Sequence, residues 1–282
     1  MKIWVNGEIV EADARVAQAS DRGLLLGDGL FETIKIDRGR AVFLTEHLCR
    51  LQVSARELNL PVERDTLRAG LLDLMDKTDE EVGAARITVT RGPGPRGLLP
   101  IPVEDQSPTI VISLSPATAQ HFNPEPDRLL PAPFIRSSGA PTSRMKTLSY
   151  TDNLAARAFA AEQAAADVVF TNEFGDVAST SMANLFVETD TGLVTPPLTA
   201  GILPGIVRAM ILRYAARQHV PVTVRRLQPN DLWGRRLYRT NSLIGVRPAW
   251  FDGGGWTEGP VNRSNGMIED LYALAEKEDR GR

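Results

Sequence analysis

Residues 27–36 have the sequence Gly27-Asp28-Gly29-Leu30-Phe31-Glu32-Thr33-Ile34-Lys35-Ile36. The glycines permit a tight turn, and the aromatic and β-branched residues after them favour a strand. On the N-terminal side, Asn6-Gly7 lies between two short apolar runs and predicts a hairpin over residues 2–12. On the C-terminal side, residues 40–44 are predicted as another short strand. The first part of the chain is therefore expected to build a sheet.

Helices and strands alternate irregularly along the rest of the chain. Thr45 is the predicted N-cap of a helix, whose apolar positions recur at helical spacing at Leu48, Leu51, Ala55 and Leu58. Further helices are predicted over 65–77, 151–166 and 205–218, and strands over 85–90, 109–114, 167–171 and 184–187. Because this order is not a clean βαβ repeat, we predict an α+β fold rather than a doubly wound sheet.

The length of the chain favours two domains, because 282 residues exceed what one core usually organises. Prolines cluster between residues 115 and 133, and such a segment is typical of a linker. We therefore predict an N-terminal α/β domain over 1–120, an interdomain linker over 121–133 and a C-terminal domain over 134–282.

Composition excludes several classes of function. The net charge of −3 gives no nucleic-acid footprint, and no stretch is apolar enough to span a membrane. The single cysteine, Cys49, forms no intrachain disulfide, and the N-terminus lacks a signal-peptide pattern, so a cytoplasmic protein is expected. The three histidines are far apart and give no zinc spacing, so no metal site is predicted.

One lysine stands in a context that suits chemistry. Lys146 lies between Met145 and Leu148, just before a predicted helix. Burial in a partly apolar pocket would lower its pKa and make it a nucleophile for aldehydes. The ordinary alternative is a surface lysine, and Lys146 alone does not decide between them.

Other segments can hold anionic groups. The glycines of residues 201–205 lead into a helix whose free N–H groups suit a phosphate, and small polar residues at 240–242 lie at the end of a strand. Arg50, on a largely apolar helix face, and Arg96, in a glycine- and proline-rich loop, suit a phosphate and a carboxylate. A helix entry, a turn, a surface arginine and a hairpin tip are the ordinary alternatives. Together these groups are what a pyridoxal 5'-phosphate (PLP) enzyme acting on an amino acid needs.

Several motifs occur in one order along the chain up to about Pro248: Asp21-Arg22-Gly23 with Gly27-Asp28-Gly29-Leu30-Phe31-Glu32-Thr33, His47-Leu48-Cys49-Arg50-Leu51, Arg91-Gly92 with Arg96-Gly97, Lys146-Thr147-Leu148-Ser149-Tyr150, Ala183-Asn184-Leu185-Phe186, Gly201-Ile202-Leu203-Pro204-Gly205-Ile206 and Thr240-Asn241-Ser242. In these motifs the chain resembles the class-IV aminotransferases, the PLP fold type IV proteins. That family includes D-amino-acid transaminases, branched-chain transaminases and 4-amino-4-deoxychorismate lyases.

The resemblance implies a two-domain fold, with a small α/β N-terminal domain, a larger C-terminal pseudo-barrel domain and PLP between them. It implies a homodimer in which loops of each subunit reach the other's site. Lys146 matches the Schiff-base lysine and Arg50 the arginine that holds the PLP phosphate. The rest of the phosphate cup matches backbone groups of Ile206 and Val207, together with Ser242. Substrate-pocket positions match Phe31, Thr33 and Arg96, with Arg96 coming from the partner subunit.

One position departs from the family's pattern. The family usually carries a glutamate five residues before the asparagine of the Asn-Leu-Phe stretch, where it keeps the PLP pyridine nitrogen protonated. Counting back from Asn184 gives Ser179. A serine can hydrogen-bond this nitrogen but cannot hold it as a pyridinium ion by charge, so a poorer electron sink is expected.

Three functions follow from the resemblance. The first is an amino-acid transaminase, which moves an amino group between an amino acid and a 2-oxo acid through a Lys146 aldimine. The second is 4-amino-4-deoxychorismate lyase, which releases pyruvate and 4-aminobenzoate; Thr33, the Arg96 loop and Thr240-Asn241-Ser242 look lyase-like. The third is a weakly catalytic PLP-binding relative, which the loss of the glutamate favours and the presence of Lys146 opposes. We rank the transaminase first.

Overall fold

The computed structural model describes residues 1–78, 80–99, 101–116, 125–253 and 266–280. The chain divides into two compact units: unit 1 comprises Met1–Ala119 and Met145–Ser149, and unit 2 comprises Gln120–Arg144 and Tyr150–Arg282. The predicted boundary near residue 120 lies outside the described residues.

Unit 1 is built on one antiparallel sheet. Its strands are β1 (Lys2–Val5), β2 (Glu8–Glu11), β3 (Gly29–Asp37), β4 (Arg40–Ala41), β5 (Val82–Thr90) and β6 (Thr109–Pro116), and its helices are α1 (Arg22–Leu26), α2 (Leu44–Glu57) and α3 (Arg64–Asp76). The strand order is β2-β1-β6-β5-β3-β4. The predicted hairpin is confirmed, since Asn6 and Gly7 both have positive φ, 46° and 105°, as a type I' turn requires.

The core of unit 1 follows from the alternation of side chains along β3. Leu30, Ile34 and Ile36 are buried on one face of the sheet, together with leucines of α2 and α3. Each such side chain contributes roughly 1.5–3 kcal/mol when fully buried. The other face of β3 carries Phe31 and Thr33. One strand therefore contributes side chains both to the core and to the opposite face of the sheet.

The predicted strand over 40–44 is too long, and the predicted N-cap is wrong. Pairing stops at Ala41, and α2 is preceded by Phe43 in the left-handed conformation, with no side-chain cap hydrogen bond. Thr45 lies inside the first turn, where its Oγ1 accepts a 2.9 Å hydrogen bond from Arg68 Nη2. This contact with α3 is tertiary and leaves no local trace in the sequence.

The lysine segment belongs to unit 1, which corrects its placement in the predicted 134–282 domain. The Phe31 N–H donates to the Lys146 carbonyl oxygen at 2.9 Å, and the Leu148 N–H donates to that of Gly29 at 3.0 Å. An isolated bridge joins Leu30 and Thr147. Residues 145–149 therefore pair with β3, although more than a hundred positions separate the two stretches in the sequence.

Unit 2 is built on a mixed sheet that forms a half-barrel. Its strands are β7 (Asp127–Pro131), β8 (Asp167–Thr171), β9 (Val177–Thr180), β10 (Asn184–Thr189), β11 (Gly192–Thr195), β12 (Val222–Val224), β13 (Leu237–Asn241) and β14 (Gly245–Phe251). Its helices are α4 (Pro141–Arg144), α5 (Thr151–Glu162), α6 (Ile206–Arg217) and α7 (Met267–Arg280). The strand order is β12-β11-β10-β13-β14-β7-β8-β9, with β7 parallel to both of its neighbours.

Two predictions for unit 2 need correction. The predicted linker over 121–133 contains β7, an interior strand of the sheet, while residues 117–124 are not among those described. The helix predicted over 151–166 ends at Glu162, because Ala164 has a φ of 52° and Ala166 donates to the Arg128 carbonyl oxygen of β7. The linker prediction rests on prolines and the helix prediction on alanines. Both errors arise because such composition does not reveal a hydrogen bond to a strand that lies elsewhere in the sequence.

Candidate active site

The lysine amine lies against an aromatic ring in unit 1. Lys146 Nζ is 4.1 Å from the centroid of the Phe31 ring, and the guanidinium carbon of Arg86 is 4.0 Å from the same centroid. Phe31 is buried, and Lys146 is half-buried. Thr33 points to the same face of β3 as Phe31 and is paired in register with Arg86 of β5. The predicted lysine and two predicted substrate residues therefore share one face of unit 1.

Arg50 lies on the helix side of the sheet, where Glu32 holds its guanidinium. Arg50 Nε and Nη2 donate to the two Glu32 carboxylate oxygens, each at 2.7 Å. His47 Nδ1 also lies 2.7 Å from Glu32 Oε2. Burial alone would raise the pKa of Glu32, but the charges of Arg50 and His47 and their hydrogen bonds outweigh it and lower this pKa to about 2. Glu32 is therefore a carboxylate that fixes the plane of the Arg50 guanidinium.

The loop that carries Arg96 is anchored at its base by buried ion pairs. Asp28 accepts hydrogen bonds from Arg91 Nε at 2.8 Å and from Arg22 Nε at 2.9 Å. Arg22 Nη1 also donates to the Gly97 carbonyl oxygen at 2.9 Å. Burial opposes ionisation of Asp28, but these two arginines lower its pKa. The base of the loop is thus held by charge-assisted hydrogen bonds.

Arg96 itself is exposed, and within the described ranges its side chain makes no hydrogen bond or ion pair. A guanidinium in this position is available to an external carboxylate.

In unit 2, Ser179 lies on β9 and is buried. Its Oγ accepts a 3.2 Å hydrogen bond from Arg136 Nη1 and donates a 3.0 Å hydrogen bond to the Thr180 carbonyl oxygen. The Arg136 guanidinium also lies over the Phe170 ring, 4.2 Å from its centroid. The predicted pyridine-nitrogen position is therefore a serine beside a half-buried arginine.

The turn between β9 and β10, residues 181–183, connects the predicted cofactor residues of unit 2. Ser179 precedes it, and the Asn241 Nδ2 group, next to Ser242, donates to the Met182 carbonyl oxygen at 3.2 Å. On its other side, Asn184 Nδ2 donates to the Leu203 carbonyl oxygen at 3.0 Å. One turn thus links the neighbourhoods of Ser179, Ser242 and the start of α6.

The start of α6 is shaped for an anion. Its N-cap, Gly205, provides no side-chain cap, and the first turn contains no acidic residue. A Cβ on Gly205 would lie 1.9 Å from Asn184 Oδ1, so only glycine fits against that amide. The backbone N–H groups of Ile206 and Val207 are at the positive end of the helix dipole.

The residues present fit PLP. In unit 2, the side-chain atoms Arg136 Nη2, Ser181 Oγ and Thr240 Oγ1 are buried without a hydrogen-bond partner among the described residues. Such orphaned polar atoms call for a polar ligand. An uncapped helix start suits its phosphate.

Sequence reasoning missed Glu32, Asn184 and Arg136. Glu32 and Asn184 lie inside quoted motifs, but only contacts reveal that they position Arg50 and the start of α6. Arg136 follows a proline-rich stretch and has no sequence signal.

The chain matches the sequence profile of the family described as "Amino-transferase class IV" over residues 29–249. The chain belongs to this family. Membership confirms the resemblance, the α+β fold type IV architecture and the prediction of a PLP-dependent enzyme, an aminotransferase or a lyase.

Relatives and solved structures agree with this family. The chain is 29% identical to a putative branched-chain-amino-acid aminotransferase of Methanocaldococcus jannaschii, over 89% of this chain and 87% of that protein. It is 28% identical to a bifunctional aminodeoxychorismate lyase / D-amino acid transaminase of Mycobacterium tuberculosis, over 83% and 84%. The PLP-bound form of a hypothetical aminotransferase from Mycobacterium tuberculosis has a TM-score of 0.85 and 25% identity, over 99% of this chain and 100% of that one.

Two further properties concern the described part of the chain. None of its helices is long and apolar enough to cross a membrane. Its His, Cys, Asp and Glu side chains form no group of three that would hold a metal ion.

Proposed function

We propose that the enzyme is an amino-acid transaminase that uses Lys146 as its PLP lysine and Arg96 as its carboxylate clamp. The observation that carries this proposal is the Lys146 amine, held over Phe31 on the face of β3 that also bears Thr33. A transaminase needs one amine that attaches the cofactor and later moves a proton.

Most of the site residues bind the cofactor or the substrate, and one moves a proton. Arg50, oriented by Glu32, holds the phosphate together with Ser242 and the N–H groups of Ile206 and Val207. Arg96 binds the substrate carboxylate, and Phe31 limits the space around the amine. With PLP bound, Lys146 Nζ would take the proton from the substrate Cα and return it to the cofactor. PLP, when bound, supplies the aldehyde and the electron-withdrawing ring.

Spectroscopy of the full chain with added PLP tests the proposal. An absorbance band at about 400 nm is expected. Borohydride should abolish this band and leave the cofactor as a covalent label on the peptide that contains Lys146. Lys146→Ala should lose the label and amino-group transfer, whereas Lys77→Ala, at an exposed lysine, should keep both. Each amino acid of a D- and L- panel is then added with a 2-oxo acid. Transfer to the oxo acid supports a transaminase, and absence of the borohydride-sensitive band overturns the assignment of Lys146.

The lyase is the second candidate, and Ser179 beside Arg136 favours it. A cofactor ring without a carboxylate partner withdraws electrons less strongly, which suits substrates with an easy leaving group. The bifunctional mycobacterial relative carries both activities in its name. Release of 4-aminobenzoate from 4-amino-4-deoxychorismate, without amino-group transfer from any amino acid, would replace the transaminase proposal by the lyase.

We also propose a cytoplasmic homodimer in which Arg96 of one protomer serves the site of its partner. Arg96→Ala and Lys146→Ala chains are coexpressed, and the mixed dimer is assayed at low substrate concentration. A partner-derived Arg96 predicts activity well above that of either variant alone, because one of the two sites then contains both native residues. Activity no higher than the sum of the two variants would place Arg96 and Lys146 of the same protomer together.

A further inference from the structure

The Arg136 guanidinium has more hydrogen-bond donors than there are acceptor groups around it. Its Nη1 donates to Ser179 Oγ at 3.2 Å, and its guanidinium lies over Phe170. Its Nη2 is buried and has no acceptor within the described residues. A buried guanidinium donor is a strong hydrogen-bonding group, so an unused one points to a missing acceptor.

Ser179 cannot be the donor that meets a ligand in this arrangement. A serine hydroxyl has one hydrogen, and that of Ser179 is donated to the Thr180 carbonyl oxygen at 3.0 Å. Its oxygen is already an acceptor for Arg136. Of the two side chains, Arg136 is therefore the one with a donor to spare.

The charge of Arg136 is not neutralised by a contact. No carboxylate of the described chain forms an ion pair with it, and the buried Asp167 is occupied by Arg239 Nη1 at 3.0 Å. Burial lowers the pKa of Arg136, and Tyr150, Asp152 and Asp167 oppose this from a longer range. A guanidinium remains charged in proteins, so this side chain presents donors and a positive charge.

We propose that Arg136, rather than Ser179, donates to the pyridine nitrogen of PLP and keeps that nitrogen unprotonated. The inference rests on the proposed function, since it takes the β9 position of Ser179 as the one that faces the pyridine ring. A guanidinium has no lone pair to offer, so the nitrogen must use its own lone pair as the acceptor. The nearby positive charge also disfavours a pyridinium ion.

An unprotonated ring nitrogen restricts the chemistry of the site. The ring then takes less of the negative charge that develops at the substrate Cα, so slow proton movement at Cα is expected. Arg136 thereby slows the proton transfer at Cα on which amino-group transfer depends.

The test is the ¹⁵N chemical shift of ring-labelled PLP bound to the full chain. In the native enzyme, the resonance should stay at the position of an unprotonated pyridine across the neutral pH range. In Ser179→Glu, whose carboxylate pairs with Arg136 and faces the ring, it should move to the protonated position. In Arg136→Met it should become sensitive to pH. Arg217→Met, which removes an exposed guanidinium near Tyr214, should match the native enzyme.

The outcomes separate the two proposals. Bound PLP that borohydride attaches to Lys146, but whose nitrogen is protonated in the native enzyme, overturns the role of Arg136 alone. Failure of borohydride to attach PLP to Lys146 overturns the proposed function and the inference with it. A urea unfolding curve identifies a variant that fails to fold, and in that case the comparison of the native enzyme with Ser179→Glu still decides.

Discussion

Glu32 and Arg50 form a two-point ion pair, with Arg50 Nε and Nη2 each 2.7 Å from a carboxylate oxygen of Glu32. Their side chains are only 1% and 10% exposed. A pair buried this deeply depends on both partners, because removal of one leaves an uncompensated charge. The pair also holds the guanidinium that we assign to the PLP phosphate, so stability and cofactor binding are coupled at this point.

Acid should weaken the fold through Glu32. The pKa of Glu32 is about 2 in the folded chain and 4.5 in the reference state, so its contribution is complete above pH 4.5 and is lost as the pH falls toward 2. The difference corresponds to about 3 kcal/mol of unfolding free energy. Urea unfolding at a series of pH values measures it. Glu32→Gln should be less stable at neutral pH and show a flatter pH dependence in this window; an unchanged slope would contradict the pair's role.

Gly205→Ala should damage the start of α6. The new Cβ would lie 1.9 Å from Asn184 Oδ1, so the amide or the helix must move, with a loss of roughly 1–3 kcal/mol of stability. PLP affinity, followed by titration, should fall as well. Gly139→Ala is the matched control, because its Cβ meets open space. If the clash is the cause, the double variant with Asn184→Ala will be more stable than the two single effects predict.

Arg96→Ala should weaken substrate binding without weakening the fold. Charge-assisted hydrogen bonds contribute roughly 1.5–3 kcal/mol, so KM for the carboxylate substrate should rise about tenfold to a hundredfold. The melting temperature should not change, since this exposed side chain forms no hydrogen bond or ion pair with the described residues. Arg15→Ala, at another exposed arginine, is the control for surface charge. A drop in kcat with an unchanged KM would instead give Arg96 a role after binding.

Ser179→Glu should accelerate the half-reaction with an amino acid. A carboxylate near the ring would pair with Arg136 and hold the nitrogen as a pyridinium ion, which strengthens the electron sink. A gain of about 1.4 kcal/mol or more in transition-state stability corresponds to a rate at least about tenfold higher. Stopped-flow absorbance of conversion to the pyridoxamine form measures this rate. An unchanged rate would show that ring protonation does not limit the reaction.

The sequence supports some elements far better than others. The Asn6-Gly7 hairpin, the leucine faces of α2 and α3 and the start of α6 follow from local patterns, because turn geometry and helical periodicity are properties of neighbouring residues. The strand β7 lies within the predicted linker, because its partners β8 and β14 are far from it along the chain and local composition does not reveal them.

By itself, the sequence determined the family and the cofactor, since an ordered set of motifs constrains both, and it predicted Lys146 as the cofactor lysine. Only the tertiary structure revealed that Lys146 pairs with β3 through Phe31 and that Glu32 holds Arg50. The tertiary structure also shows which charged group lies next to Ser179. The sequence shows a missing carboxylate, whereas the fold places the Arg136 guanidinium beside that serine. Hydrogen bonds between distant segments depend on where the backbone brings donors and acceptors together, and the spacing of residues along the chain does not encode that distance.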